Sequence, residues 1–165
     1  MEKWIFFDLG STLLDESLPM QAREADGGPW RHDLDRVYSG TKPLLEQLRV
    51  RYRLGIIANQ GPGAEQRLRG WGLAQYFDVI VSSAEAGFSK PDPRIFTIAL
   101  ERANCLPQNA TMVGDRLDND IAPAKRLGMK TIWVRQGWGG KAVPTSEEMV
   151  ADWVVDGLEE VGMLF

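Results

Sequence analysis

Apolar residues in this chain fall into short, nearly unbroken runs that stop abruptly at polar or small residues. Such runs predict buried strands at 3–8, 54–58, 78–82, 111–113 and 131–134, with a short sixth at 152–155. Between them the spacing changes to that of helices. Pro43–Leu48 and residues 64–72 read as helices, as does Pro93 to Asn104, with Ile95, Phe96, Ala99, Leu100 and Ala103 on one face. A further helix is expected from an Asp118 or Asn119 cap to Gly128, and a terminal one over 158–164. Strands that alternate with helices imply an α/β fold, a Rossmann-like three-layer sandwich with a mostly parallel sheet. Residues 15–40 break this rhythm. They are polar and irregular, with a turn signal at Asp26-Gly27-Gly28-Pro29, and they are expected to form a loop or flap inside a single domain spanning 1–165.

Composition narrows the chemistry. The 165 residues carry a net charge of −4, which gives no support to a nucleic-acid partner held by bulk electrostatics. No run approaches the roughly 18 apolar residues of a membrane span, and no basic segment leads into a long apolar one, so the expected location is cytoplasmic. Cys105 and His32 are the only residues of their kinds. That excludes an internal disulfide and multi-His zinc sites, and it argues against Cys–His or Ser–His–Asp catalysis. Carboxylates, lysine, hydroxyls and a hard cation are what remain.

Those groups gather where the predicted strands finish. Asp8 follows the first strand, Asn59 the second and Asp115 the fourth, while Lys90 lies in the loop after the third. Open α/β sheets bind ligands at that edge, so the topology brings two carboxylates, an amide and an ammonium together. Asp120 can face the same cleft from the start of the next helix. Carboxylates with a nearby carbonyl and no His or Cys suit Mg²⁺. Asp8 could then attack phosphorus to form an aspartyl-phosphate, with Lys90 balancing charge on the transferring group.

Phe7-Asp8-Leu9-Gly10-Ser11-Thr12, Ile56-Ile57-Ala58-Asn59, Ser89-Lys90-Pro91-Asp92-Pro93 and Val113-Gly114-Asp115 with Asn119-Asp120 together resemble the four motifs of the haloacid dehalogenase (HAD) superfamily, in order and spacing. The resemblance covers nearly the whole chain and implies an uncapped, HAD-like, Mg²⁺-dependent phosphatase. By it, Asp8 is nucleophile and metal ligand, Gly10 lends its carbonyl to the metal, and Asp115 is a further ligand. Lys90 steadies nucleophile and phosphate, and Asp120 orients Asp115 or its waters; apart from the resemblance, the backbone N–H groups of Asn59 and Gln60 could still bind phosphate.

Two positions depart from the family pattern. Gly10 stands where its phosphatases usually carry a second Asp as acid and base, a loss that typically costs about 10²–10⁴-fold. Ala58 stands where a Thr or Ser hydroxyl usually binds phosphate. Asp15 or Glu16 are candidates to supply the missing acid. Without a cap, the phosphorylated substrate is expected to be large, or a second copy of the chain to cover the site. The alternative to a phosphatase is a regulatory module that binds metal and phosphate but turns over little; a metal-independent dehalogenase fits less well because it needs no Asp115–Asp120 pair. Trp138-Gly139-Gly140-Lys141 reads as a plain glycine-rich loop near the cleft.

Overall fold

The computed structural model describes residues 2–165. Its main sheet has six parallel strands: β1 (Trp4–Phe7), β4 (Arg53–Ala58), β5 (Val79–Ser82), β6 (Ala110–Gly114), β7 (Lys130–Val134) and β8 (Trp153–Val155). Their order is β5-β4-β1-β6-β7-β8, with the short helices α3 (Ala64–Gly70) and α4 (Ser83–Ala86) before and after β5 in the chain. The alternation of a strand explains why β1 reads as wholly apolar. Ile5 and Phe7 enter one core with Leu44, Leu45 and Leu48 of α2 (Thr41–Arg49) and Leu158 and Val161 of α7 (Leu158–Met163). Trp4 and Phe6 enter the other core, against Ile95, Phe96 and Ala99 of α5 (Pro93–Arg102).

The chain leaves β1 toward β4 on one side and returns through β6 on the other. This is a topological switch point, and its C-terminal edge is a natural crevice for ligands. The Asp8 N–H donates to the Val113 carbonyl at 2.9 Å, extending the β1–β6 pairing to the first residue of the site.

Two expectations need correction. Residues 15–40 are not irregular: β2 (Leu14–Asp15) pairs antiparallel with β3 (Arg36–Val37), and α1 (Ser17–Asp26) lies between them. Of α1 only Pro19 is buried, so the helix has no apolar stripe for periodicity to detect. Its Pro sits in the first turn, where a missing N–H is tolerated. Gly27 ends it at φ 66°, its N–H on the Arg23 carbonyl at 2.8 Å, so the supposed turn signal is a helix stop.

The second correction lies after β6. No side chain of Asp118 or Asn119 caps a helix there; Leu117–Ile121 winds as a π-helical turn before α6 (Ala122–Arg126). The wide turn lets the Arg116 carbonyl accept from the N–H groups of both Asp120 (2.9 Å) and Ile121 (3.2 Å). Gly128 does end this segment in the left-handed conformation, at φ 86°.

Phe6 packs tightly on its cross-strand partner Gly55, where an added Cβ would meet the ring at 2.5 Å. We expect Gly55→Ala to lose about 1–3 kcal/mol of stability through overpacking. In urea unfolding, Phe6→Leu in the same chain should shrink that loss, whereas an equal loss in both backgrounds would contradict this packing.

Candidate active site

Every strand-end residue expected from the sequence reaches one crevice. Asp8 follows β1 and Asp115 follows β6, while the π-helical turn delivers Asp120. One oxygen from each of the three carboxylates lies within 4.8 Å of the others. Lys90 Nζ sits among them, donating to Asp8 Oδ1 at 2.8 Å and to Asp120 Oδ1 at 2.6 Å, and its side chain is only 2% exposed. Lys90 holds this position because Asn59 clamps its backbone. The Asn59 Nδ2 donates to the Lys90 carbonyl (2.9 Å), and the Lys90 N–H donates to Asn59 Oδ1 (2.7 Å). The Lys90–Pro91 peptide is cis.

Burial opposes the Lys90 charge, but Asp120 and Asp8 outweigh it and hold the ammonium above its ordinary range. Asp115 has no such partner. Among the described residues it is bonded by the Thr12 hydroxyl at 3.2 Å and the Gly139 N–H at 3.3 Å, without an ion pair. Burial first, and the Asp8 charge second, raise its pKa well above the carboxylate range. Burial and Asp8 also push Asp120 up, to about 6, with Lys90 pulling against them. Both Asp120 oxygens are engaged, Oδ1 by Lys90 and Oδ2 by the Arg116 N–H at 3.0 Å. Asp8 Oδ2 and both Asp115 oxygens are held only by neutral donors at 3.2–3.3 Å, longer than the contacts on Asp120, so these oxygens are better placed to turn toward a cation.

The same cleft, about 250 Å³ in volume, is also lined by Glu16, Met20, Trp30 and Trp138. Burial and then Asp8 raise Glu16 to about 7. Trp138, read from the sequence as part of a plain loop, lies at the cleft with the Arg116 guanidinium 4.7 Å from its ring centre. Asp15 is directed elsewhere: its Oδ1 accepts from the Ser17 N–H at 2.9 Å, at the start of α1. The Gln60 N–H expected to bind phosphate donates instead to Ser83 Oγ at 3.0 Å, which leaves the main chain of Asn59 as the remaining candidate of that pair.

Sequence reasoning gave no role to Thr12, Gly139 or Trp133. The Thr12 hydroxyl lies 3.3 Å from Asp8 Oδ2 as well as 3.2 Å from Asp115, because the chain turns sharply after β1 with Leu13 N–H on the Leu9 carbonyl. Trp133 Nε1 donates to the Asp115 carbonyl at 2.8 Å. Thr12 had a signal, four residues beyond Asp8 in the first motif; contacts across the sheet to Gly139 and Trp133 had none.

A hard divalent cation fits this donor set. Its groups are oxygens, Asp115 has no cationic partner among the described residues, and no histidine or thiol lines the cleft.

Known proteins resemble this chain in sequence and in fold. The family model "Haloacid dehalogenase-like hydrolase" matches residues 30–134. Similar curated proteins include a glyceraldehyde 3-phosphate phosphatase of Methanopyrus kandleri, 37% identical over 72% of this chain and 52% of its own. A pyrimidine 5′-nucleotidase of Escherichia coli is 35% identical over 76% and 55% respectively. The chain spans about half the length of these relatives. Among solved structures, a HAD phosphatase from Thermococcus onnurineus superposes with a TM-score of 0.81 at 25% identity, covering 98% of this chain and 97% of that one. A 2-haloacid dehalogenase from Pseudomonas syringae, at 24% identity and TM-score 0.78 over 99% and 98% of the two chains, shares the fold. With that family match across well over half its length, the chain belongs to the haloacid dehalogenase-like hydrolases.

Proposed function

We propose that this protein is a phosphatase in which Asp8 attacks the phosphorus of a phosphate monoester, and that Mg²⁺ is its cofactor. The observation that carries this reading is the single ammonium set among three buried carboxylates, one of which, Asp8, still opens into the cleft. Asp8 is aligned before substrate arrives, because Lys90 holds one oxygen and Thr12 approaches the other. Asp8 and Asp115, with the Gly10 carbonyl, would hold the cation. When bound it supplies charge neutralisation between the carboxylates and the incoming phosphoryl oxygens. Lys90 lies where charge on the transferring group can be balanced, and Asp120 holds Lys90 in place. Asn59 lines the same crevice, and its backbone N–H is the donor we assign to phosphate.

The relatives' names support a small phosphorylated substrate more than a macromolecular one. So does the cleft, about 250 Å³, which is smaller than the roughly 300–1,000 Å³ typical of sites for drug-sized ligands. Met20 and Trp30 narrow it from the segment read from the sequence as a loop or flap. The regulatory-module alternative keeps the metal site but predicts no turnover.

The deciding assay is phosphate release from a panel of small phosphate monoesters. Activity is expected with Mg²⁺, lost with chelator, and reduced by at least about 10³-fold in Asp8→Asn, as for removal of a nucleophile. No turnover on any of the panel would favour the regulatory module.

A second expectation concerns stability. Carboxylates whose folded pKa values lie above their unfolded ones cost nothing below about pH 4 and destabilise progressively as they ionise at higher pH. With Glu16 raised to about 7, Asp120 to about 6 and Asp115 raised further, the metal-free protein should lose thermal stability between pH 5 and pH 8. Saturating Mg²⁺, at about 100 times its Kd, should restore roughly 5–10 °C at neutral pH. Asp115→Asn should raise the metal-free Tm and abolish the Mg²⁺ response. A Tm indifferent to both metal and this substitution would contradict the metal assignment.

A further inference from the structure

We propose that Glu16 is the acid–base residue of this site, its carboxyl group occupying the place left vacant by the glycine at position 10. The inference rests on the phosphatase reading above and assigns the proton transfers that reading leaves open.

The first support is steric. Gly10 does not have the positive φ that would demand glycine. A Cβ added there would instead collide with Glu16, at 2.3 Å from Oε1, 2.4 Å from Cδ and 2.4 Å from Oε2. The Glu16 carboxyl thus fills the volume in which any side chain at position 10 would begin. It does so two residues from Asp8 along the turn, and both line the same cleft.

The second support is how Glu16 is held. It stands at the N-terminal boundary of α1, and its carbonyl accepts the Met20 N–H at 3.1 Å. Ser11, in the left-handed conformation at φ 57°, directs its hydroxyl to Glu16 Oε2 at 3.4 Å. A non-glycine residue held there stores strain, which is a recurrent feature of functional turns. Gln136 Nε2 fixes that turn by donating to the Ser11 carbonyl at 3.2 Å and the Thr12 carbonyl at 2.7 Å. Glu16 has no ion-pair partner among the described residues, and it is not one of the three carboxylates that cluster for a cation. It is therefore available for proton transfer. Asp15, the other sequence candidate, is committed to the Ser17 N–H.

The steps balance as follows. An Asp8 oxygen forms a bond to phosphorus while the bond from phosphorus to the alcohol oxygen breaks. That oxygen keeps the electron pair and takes the proton of the Glu16 carboxyl group. The Glu16 carboxylate then takes a proton from water as the water oxygen attacks the same phosphorus. The bond from phosphorus to Asp8 breaks with its electrons returning to Asp8, inorganic phosphate leaves, and Glu16 is protonated again.

Leaving-group dependence tests this, because para-nitrophenolate departs without a proton and ethoxide does not. Glu16→Gln should lower ethyl phosphate turnover by about 10²-fold or more. With para-nitrophenyl phosphate it should give a stoichiometric burst of nitrophenolate, then slow turnover, while mass spectrometry finds the phosphoryl group accumulated on Asp8. A second variant guards against simple disruption: Gly10→Asp combined with Glu16→Ala should return much of the ethyl phosphate activity. Equal losses on both esters without a burst or accumulated adduct, or no loss at all, would overturn the assignment while leaving the phosphatase reading intact. A wild-type protein inert toward both esters would overturn the phosphatase reading, and this assignment with it.

Discussion

Three carboxylates buried around one ammonium form the constraint on which the rest of this structure depends. At an effective dielectric of about 20, two like charges roughly 5 Å apart repel by about 3 kcal/mol, a large part of the roughly 5–15 kcal/mol that holds a domain folded. The Asp8, Asp115 and Asp120 carboxylates are that close, and Lys90 reaches only Asp8 and Asp120. The protein absorbs the remainder in raised carboxylate pKa values and in neutral donors, the Thr12 hydroxyl and the Gly139 and Arg116 N–H groups. The arrangement leaves a negative crevice whose natural complement is a hard cation.

The fold supplies what this repulsion would otherwise undo. β1 lies between β4 and β6, fully buried with one core on each face, so the ends of β1 and β6 cannot part without losing both cores. Lys90 comes from a loop that is not in the sheet, and the paired hydrogen bonds from Asn59 fix it. The end of β4 thus contributes a clamp as well as a potential phosphate contact. In the same way α1, peripheral and poorly buried, sets the position of Glu16 and brings Met20 to the cleft.

The sequence was most informative where burial writes a pattern. The six strands, α2, α5 and the order of the four motifs were legible because apolar runs and helical stripes are consequences of the two cores. Asp8, Lys90, Asp115 and Asp120 followed, since strand ends in an open sheet share an edge. α1 was invisible for the opposite reason: a helix that buries only Pro19 has no stripe. The π-helical turn was missed because its wide hydrogen bonding answers to the placement of Asp120 rather than to local propensity. Gly10 was legible only as a loss. That a carboxyl six residues further on occupies its space depends on the path of the chain through β2 into α1, and no spacing rule encodes that path.

Trapping the phosphorylated state tests whether Asp8 is a nucleophile held ready by Lys90. The protein should be titrated with beryllium fluoride in the presence of Mg²⁺ and followed by fluorine NMR. A saturable bound-fluoride signal is expected, absent in Asp8→Asn and weakened in Lys90→Ala. No adduct in the wild-type protein, or an adduct that survives Asp8→Asn, would contradict that role.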